Sequence, residues 1–162
     1  MTASIEGGAL HMTPEEMLVE LLNSPPRSAS ETNATLQAIW PHLRAPQRNH
    51  HGTELVALFQ QAGYVSDGIP QPNADLTVYR GELVSAHESG ISWTADLQAA
   101  KRYAQGYATV GDTRVVQATA PPVTVLARFT QEAEVVIAPH VLKNIKELDR
   151  IPHFKLPRLA PF

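Results

Sequence analysis

The apolar residues of this chain change their spacing near Asp75, and that change limits the folds open to it. Before it they recur at helical intervals. Thr13-Pro14-Glu15-Glu16 places a capping hydroxyl, a proline at the first helical position and a glutamate three residues past the cap, ahead of Met17, Leu18, Leu21 and Leu22. That arrangement predicts a helix start, and Ser24-Pro25-Pro26 ends the helix. A second stripe, Leu36, Ile39, Trp40 and Leu43, is interrupted by Pro41, which should stop or kink it. A third helix is predicted from near Thr53, carrying Leu55, Val56, Phe59 and Ala62, with Gly63 placed to close it. Residues 66–75, rich in Gly, Pro, Asn and Asp, read as a loop. After Asp75, β-branched runs at 76–80, 114–119, 123–127 and 134–137 predict strands. Between the first two, an Ala-rich segment at 96–107 aligns Leu97, Ala100 and Ala104 as one face of a helix. Helices first, then strands with an inserted helix, argue for the α+β class.

With 162 residues, 43% of them hydrophobic and 18% charged, the chain suits one domain with a real core. We divide it into a polar tail or cloning remnant at 1–12 and a single domain at 13–162. That domain comprises a helical lead-in at 13–65, a strand-rich core at 76–140 and a basic tail at 141–162. The absence of cysteine removes disulfides, thiolate metal sites and a Cys nucleophile. A formal charge of -3 leaves no global field to draw the protein onto nucleic acid or an anionic membrane. No apolar run reaches the length of a membrane helix, about 18 residues, and the N-terminus lacks a basic segment followed by an apolar one. No membrane partner and no classical export are therefore expected.

Three segments carry chemistry. In Val78-Tyr79-Arg80-Gly81 a strand ends in an arginine, a planar donor fork suited to phosphate or carboxylate, followed by a glycine that admits a ligand close to the backbone. The plain alternative is a surface arginine at a strand end. In Gly90-Ile91-Ser92-Trp93-Thr94-Ala95-Asp96 two hydroxyls alternate in an extended stretch and project to the same side. The alternative has Thr94 capping the next helix and Trp93 filling the core. In Gln131-Glu132-Ala133-Glu134, if extended, the two carboxylates share one face, where their repulsion disfavours ionisation of both. The alternative is a solvated turn between strands.

In this order, Arg, then Ser-x-Thr, then Glu-x-Glu, the segments resemble the Arg-Ser-Glu group of mono-ADP-ribosyltransferases. Tyr79-Arg80-Gly81, Gly90-Ile91-Ser92-Trp93-Thr94, the helix with Tyr103 before Ala104, Val125-Leu126-Ala127 and the run from Glu132 to Pro139 all fit that group. The resemblance covers roughly residues 76–140, and residues 13–63 resemble its helical lead-in. It implies a strand-rich core of two packed sheets and an enzyme that transfers ADP-ribose from NAD to a macromolecule, releasing nicotinamide. Such enzymes serve as toxins, effectors or phage enzymes. By that resemblance Glu134 is the catalytic carboxylate, Ser92 orients it and helps seat the nicotinamide, and Arg80 grips the NAD phosphate. Gly81 lies near the nicotinamide amide, Thr94 supports the loop, and Tyr103 is a candidate to pack on the nicotinamide ring, the alternative being a core aromatic. Glu132 would pair with an arginine acceptor, and Phe129 is the aromatic nearest to hand for recognising it. The group's usual Ser-Thr-Ser appears here as Ser-Trp-Thr.

The implied partners are NAD and a macromolecular acceptor, protein arginine or nucleic acid, with an antitoxin or immunity protein in a toxin setting. The implied location is the cytoplasm, or a target cell reached by a non-classical route. Two other readings use the same residues: a catalytically weak module that binds NAD or a partner, and an NAD glycohydrolase. Other motifs point elsewhere only weakly. His50-His51 and the isolated histidines have no ligand at metal-binding spacing, so no metal is expected. Ser85-Ala86-His87-Glu88 has the letters of a triad without its geometry, and Gly106 and Gly111 do not make a phosphate loop. Residues 140–162 hold five basic against two acidic residues and read as a solvated, proline-punctuated tail.

Overall fold

A computed structural model describes residues 12–23, 27–43, 52–86 and 90–155. Residues 1–11, Ser24-Pro25-Pro26, His50-His51, His87-Glu88 and Arg158 lie outside the described residues. The lead-in forms α1 (Pro14–Asn23), α2 (Ala29–Ile39) and α3 (Gly52–Ala62). At the start of α1 the Thr13 amide donates to the Glu16 carboxylate at 3.2 Å, and the Glu16 amide donates to Thr13 Oγ1 at 3.1 Å. Each bond satisfies an amide that a helix start leaves without an internal partner. Pro41 does stop the second stripe: α2 ends at Ile39 and a 3₁₀ turn, Trp40–His42, follows. Gly63, at φ 75, closes α3 in the left-handed conformation that glycine adopts without strain.

Seven strands follow: β1 (Val65–Ser66), β2 (Leu76–Leu83), β3 (Ser92–Thr94), β4 (Thr113–Ala120), β5 (Val125–Phe129), β6 (Glu134–Ile137) and β7 (Lys143–Ile151), with α4 (Leu97–Tyr107) between β3 and β4. They join as one sheet in the order β1-β5-β6-β3-β2-β4-β7. All neighbours are antiparallel except β1 and β5. The α+β class is therefore observed, while the expectation of two separate sheets is corrected to one sheet with a weak seam. Along that seam β2 and β3 pair at Tyr79 and Thr94 alone, whereas β2 pairs with β4 along its whole length.

Strands from both sides of the seam bury against each other. Val78, Ala118 and Ala120 on one side meet Trp93, Val125, Val135 and Ile137 on the other. The outer faces are covered by helices. Leu36, Leu55 and Phe59 of α2 and α3 pack with Ala127, Phe129 and Val136, while Ala100 and Ala104 of α4 pack on Val115 and Tyr79. β6 is buried along its length on both faces, which explains why it reads as the unbroken apolar run Val135-Val136-Ile137.

Two boundaries move for physical reasons. β2 continues three residues past its predicted end because the carboxylate of Glu82 is neutralised within the sheet, so Arg80 lies inside the strand. β5 starts at Val125, after a 3₁₀ turn, Pro122–Thr124, that begins at a proline. The larger correction concerns the C-terminal segment, which was expected to be a solvated tail. Residues 143–151 form β7 and pair with β4, although all but Ile151 are exposed. Main-chain hydrogen bonds hold it, and side-chain patterning carries no trace of those. Beyond it, the Phe154 amide donates to the Ala108 carbonyl at 2.7 Å, and the His153 amide to Asp112 at 2.7 Å. Among the described residues no helix is long and apolar enough to cross a membrane.

Gly81 sets how closely α4 approaches β2. A Cβ at this position would lie 2.6 Å from the Ala104 amide nitrogen and would collide with the Ala100 carbonyl. Both are helix backbone, which cannot swing aside as a side chain can. Gly81→Ala is expected to cost about 2–3 kcal/mol, a fall of about 5–10 °C in Tm. A thermal unfolding curve that matches wild type would show that the helix can retreat at no cost.

Candidate active site

Glu134, the first residue of β6, is 4% exposed. A carboxylate so placed is costly unless hydrogen bonds replace its water. Two donors reach Oε2: Ser92 Oγ at 2.6 Å and the Trp40 indole Nε1 at 2.9 Å. The first comes from β3 and the second from the turn after α2. Trp40 is itself buried, its ring meeting Phe59 edge-on with centroids 4.8 Å apart. Pleat alternation explains the Ser92 contact. Glu134 stands opposite Thr94 in the β3–β6 register, so Ser92, two residues away, projects to the same face and reaches it diagonally. Trp93, between them, turns into the core and donates through its indole to the Gly90 carbonyl at 2.9 Å.

Thr94 secures the approach to β6. Its hydroxyl donates to the Glu132 carbonyl at 2.7 Å and accepts from the Asp96 amide at 2.9 Å. The helix cap itself is Asp96, whose side chain accepts from the Gln98 amide.

Arg80 reaches across the seam. Its Nη1 donates to the Ser92 carbonyl at 2.6 Å and its Nε to Glu82 Oε1 at 3.0 Å. Glu82, 2% exposed, receives Arg114 on its other oxygen, from Nε at 2.9 Å and Nη2 at 2.8 Å. Arg80 and Glu82 share a face because they are two apart on β2, and Arg114 stands opposite Glu82 on β4. The Arg80 fork is thus oriented by a buried anion and not left to sample rotamers.

A cleft of about 220 Å³ opens over these residues, with Arg80, Gly81, Ser92, Thr94 and Tyr103 in its wall. Glu134 stands immediately behind Ser92. Two sequence expectations are corrected here. Glu132 and Glu134 do not share a face, because Glu132 sits in a 3₁₀ turn, Gln131–Ala133, with left-handed dihedrals of φ 58 and ψ 18 that break the strand alternation. Its carboxylate instead accepts from Arg102 Nη2 at 3.0 Å. Phe129 cannot recognise an acceptor, since it is fully buried beneath the lead-in helices.

Sequence reasoning assigned no role at the site to Trp40, Glu82, Arg102 or Arg114. The Arg80-x-Glu82 alternation was the visible hint for Glu82. Trp40 read as one more member of an apolar stripe, and the strand register that brings Arg114 to Glu82 leaves no local signal. The resulting arrangement combines a buried carboxylate, bonded by Ser92 and Trp40, with an oriented guanidinium in the cleft wall, the two joined through Ser92. Such a pair can stabilise a developing cation and an adjacent anion in the same ligand. Among the described residues no group of three or more His, Asp or Glu is placed to hold a metal ion. No protein-family model, curated protein or solved structure matches the chain.

Proposed function

We propose that this chain is a mono-ADP-ribosyltransferase that uses NAD as substrate. The observation that carries the reading is the junction at Ser92. Its hydroxyl is bonded to Glu134 at 2.6 Å and its carbonyl to Arg80 at 2.6 Å, so the three residues expected to act together meet at one point of the sheet. They come from three different strands, β2, β3 and β6.

Cleavage of the bond between nicotinamide and ribose builds positive charge on the sugar. A carboxylate already stripped of water needs no reorganisation to meet that charge, and its bond to a ribose hydroxyl strengthens as the charge grows. Glu134 supplies that group, held by Ser92 and Trp40. Arg80 gives the diphosphate a cation whose fork is pre-set by Glu82. Tyr103, 39% exposed in the cleft wall, is the aromatic proposed to pack against nicotinamide. Ligand pockets usually run to about 300–1,000 Å³, so a cleft of about 220 Å³ has room for only part of NAD. Transfer to a macromolecular acceptor is proposed on the resemblance alone, since Glu132 pairs here with Arg102.

Glu134→Gln keeps the shape and removes the charge. Nicotinamide release is expected to fall by about 100- to 1,000-fold, with far less change in NAD affinity. Near-wild-type turnover in this variant would remove Glu134 from the chemistry. Arg80→Lys keeps the charge and loses the planar fork, so calorimetry is expected to show NAD binding weakened about tenfold. Equal affinity would return Arg80 to a purely structural role. Trp40→Phe retains an aromatic against Phe59 while deleting one donor to Glu134. It is expected to slow nicotinamide release about tenfold and to cost about 1–2 kcal/mol of stability. A loss of stability with an unchanged rate would confine Trp40 to the core.

A further inference from the structure

We propose that Gln131, and not Glu132, is the side chain that reads the acceptor, and that the acceptor is a nucleobase bearing an exocyclic amino group. The inference rests on the transferase reading above and deepens it by naming the class of group that takes ADP-ribose. Of these two neighbours, Gln131 lines the cleft and Glu132 does not. Glu132 Oε2 instead lies 3.0 Å from Arg102 Nη2. Among the described residues that line the cleft, Arg80 alone carries a formal charge. An arginine acceptor entering there would meet a like charge and no carboxylate in the wall, an arrangement that selects against it.

The division between the two side chains is built into the backbone. Gln131 opens the 3₁₀ turn, and the next two residues, Glu132 and Ala133, stand at positive φ, 58 and 46. Residues other than glycine rarely adopt that conformation, so the surroundings must hold it. Before the turn, the Asp67 carboxylate accepts from the Thr130 amide at 3.1 Å and from Thr130 Oγ1 at 2.8 Å. Along and beyond it, Thr94 Oγ1 donates to the Glu132 carbonyl at 2.7 Å and the Ala95 amide to the Ala133 carbonyl at 2.9 Å. Clamped at both ends, the turn sets Gln131 in the cleft wall and Glu132 against Arg102.

A carboxamide presents a donor beside an acceptor and carries no charge. That matches an edge on which an amino group adjoins a ring-nitrogen acceptor, the pattern that adenine, cytosine and guanine offer. Gln131 is exposed, so its amide can reach such an edge. The wall also carries the rings of Tyr79, Tyr103 and Tyr107, the last two one turn apart on α4. With Tyr103 given to nicotinamide, Tyr107 lies next along the helix as a surface on which a base can stack. A protein carboxamide would satisfy Gln131 equally and leave that aromatic surface unused.

Transfer balances with NAD as the second reactant. The lone pair on the amino nitrogen forms a bond to the ribose C1′ as the bond from C1′ to the nicotinamide nitrogen breaks. That bonding pair leaves with nicotinamide, which departs neutral. The amino nitrogen then loses a proton to water, so no oxidant or reductant is needed. Gln131 holds the base in place for this step and takes no part in the proton transfer.

The test incubates the full chain with NAD and a panel of acceptors, measuring free nicotinamide and locating ADP-ribose by mass spectrometry. The panel holds single-stranded oligonucleotides of adenine, cytosine, guanine or thymine, the matching mononucleotides, agmatine as an arginine probe and a peptide rich in Asn and Gln. ADP-ribose is expected on at least one amino-bearing base and on neither thymine, agmatine nor the peptide. Labelling of the mononucleotide as well as the oligonucleotide marks a free nucleotide as a source of the base; labelling of the oligonucleotide alone marks a single strand. Gln131→Glu keeps the shape but cannot donate, so the ratio of base-linked to hydrolysed ADP-ribose is expected to fall about 10- to 100-fold. An unchanged ratio overturns the role of Gln131. Nicotinamide release with ADP-ribose on agmatine, on the peptide, on thymine or on no acceptor overturns the inference and leaves NAD cleavage at this site standing. No nicotinamide release from wild type overturns the transferase reading and the inference with it. If the variant fails to fold, the wild-type acceptor panel still decides.

Discussion

The rest of the structure is arranged around one dry carboxylate. Glu134 sits where water cannot solvate it, and it takes donors from different layers, Ser92 from the sheet and Trp40 from the helical lead-in. A buried charge of this kind is strongly unfavourable if a donor is lost. The lead-in helices therefore cannot shift on β5 and β6 without exposing or stranding Glu134. The contact that readies the site also fixes how the N-terminal part docks, so the helices that precede the strand-rich part belong to the site as much as the strands do.

The seam between β2 and β3 offers a second view of the same economy. Main-chain pairing there is reduced to Tyr79 and Thr94, and the bond from Arg80 to the Ser92 carbonyl supplies a link that the backbone ladder does not. The sheet opens at this line, and an arginine anchored by Glu82 spans the opening. A cleft in the middle of a sheet is otherwise hard to hold, because unpaired strand edges attract other strands. Here a charged side chain occupies that edge.

How much of this was legible in the sequence depended on how local the cause was. The capping box at Thr13, the stop at Pro41 and the closing turn at Gly63 are short-range devices, and each reads directly from neighbouring residues. The buried strand β6 was legible as an apolar run. Arg80, Ser92 and Glu134 were legible as a set through their order along the chain, although nothing local reveals that Ser92 lies between the other two. Register-dependent contacts left no trace: Arg114 reaches Glu82 across a sequence separation of 32 residues, and Trp40 reaches Glu134 across one of 94. Glu132 was misread because a left-handed residue interrupts an alternation that the sequence alone presents as continuous.

β7 shows a consequence of a strand that contributes main chain but almost no core. Its side chains point to solvent along nearly its whole length, so detaching it uncovers little apolar surface. What is lost is a row of hydrogen bonds that water can replace in kind. The margin of the molecule at β7 is thus expected to open at a lower cost than the core around Val78 and Trp93, held chiefly by its ladder to β4, by Ile151 and by the bonds of His153 and Phe154.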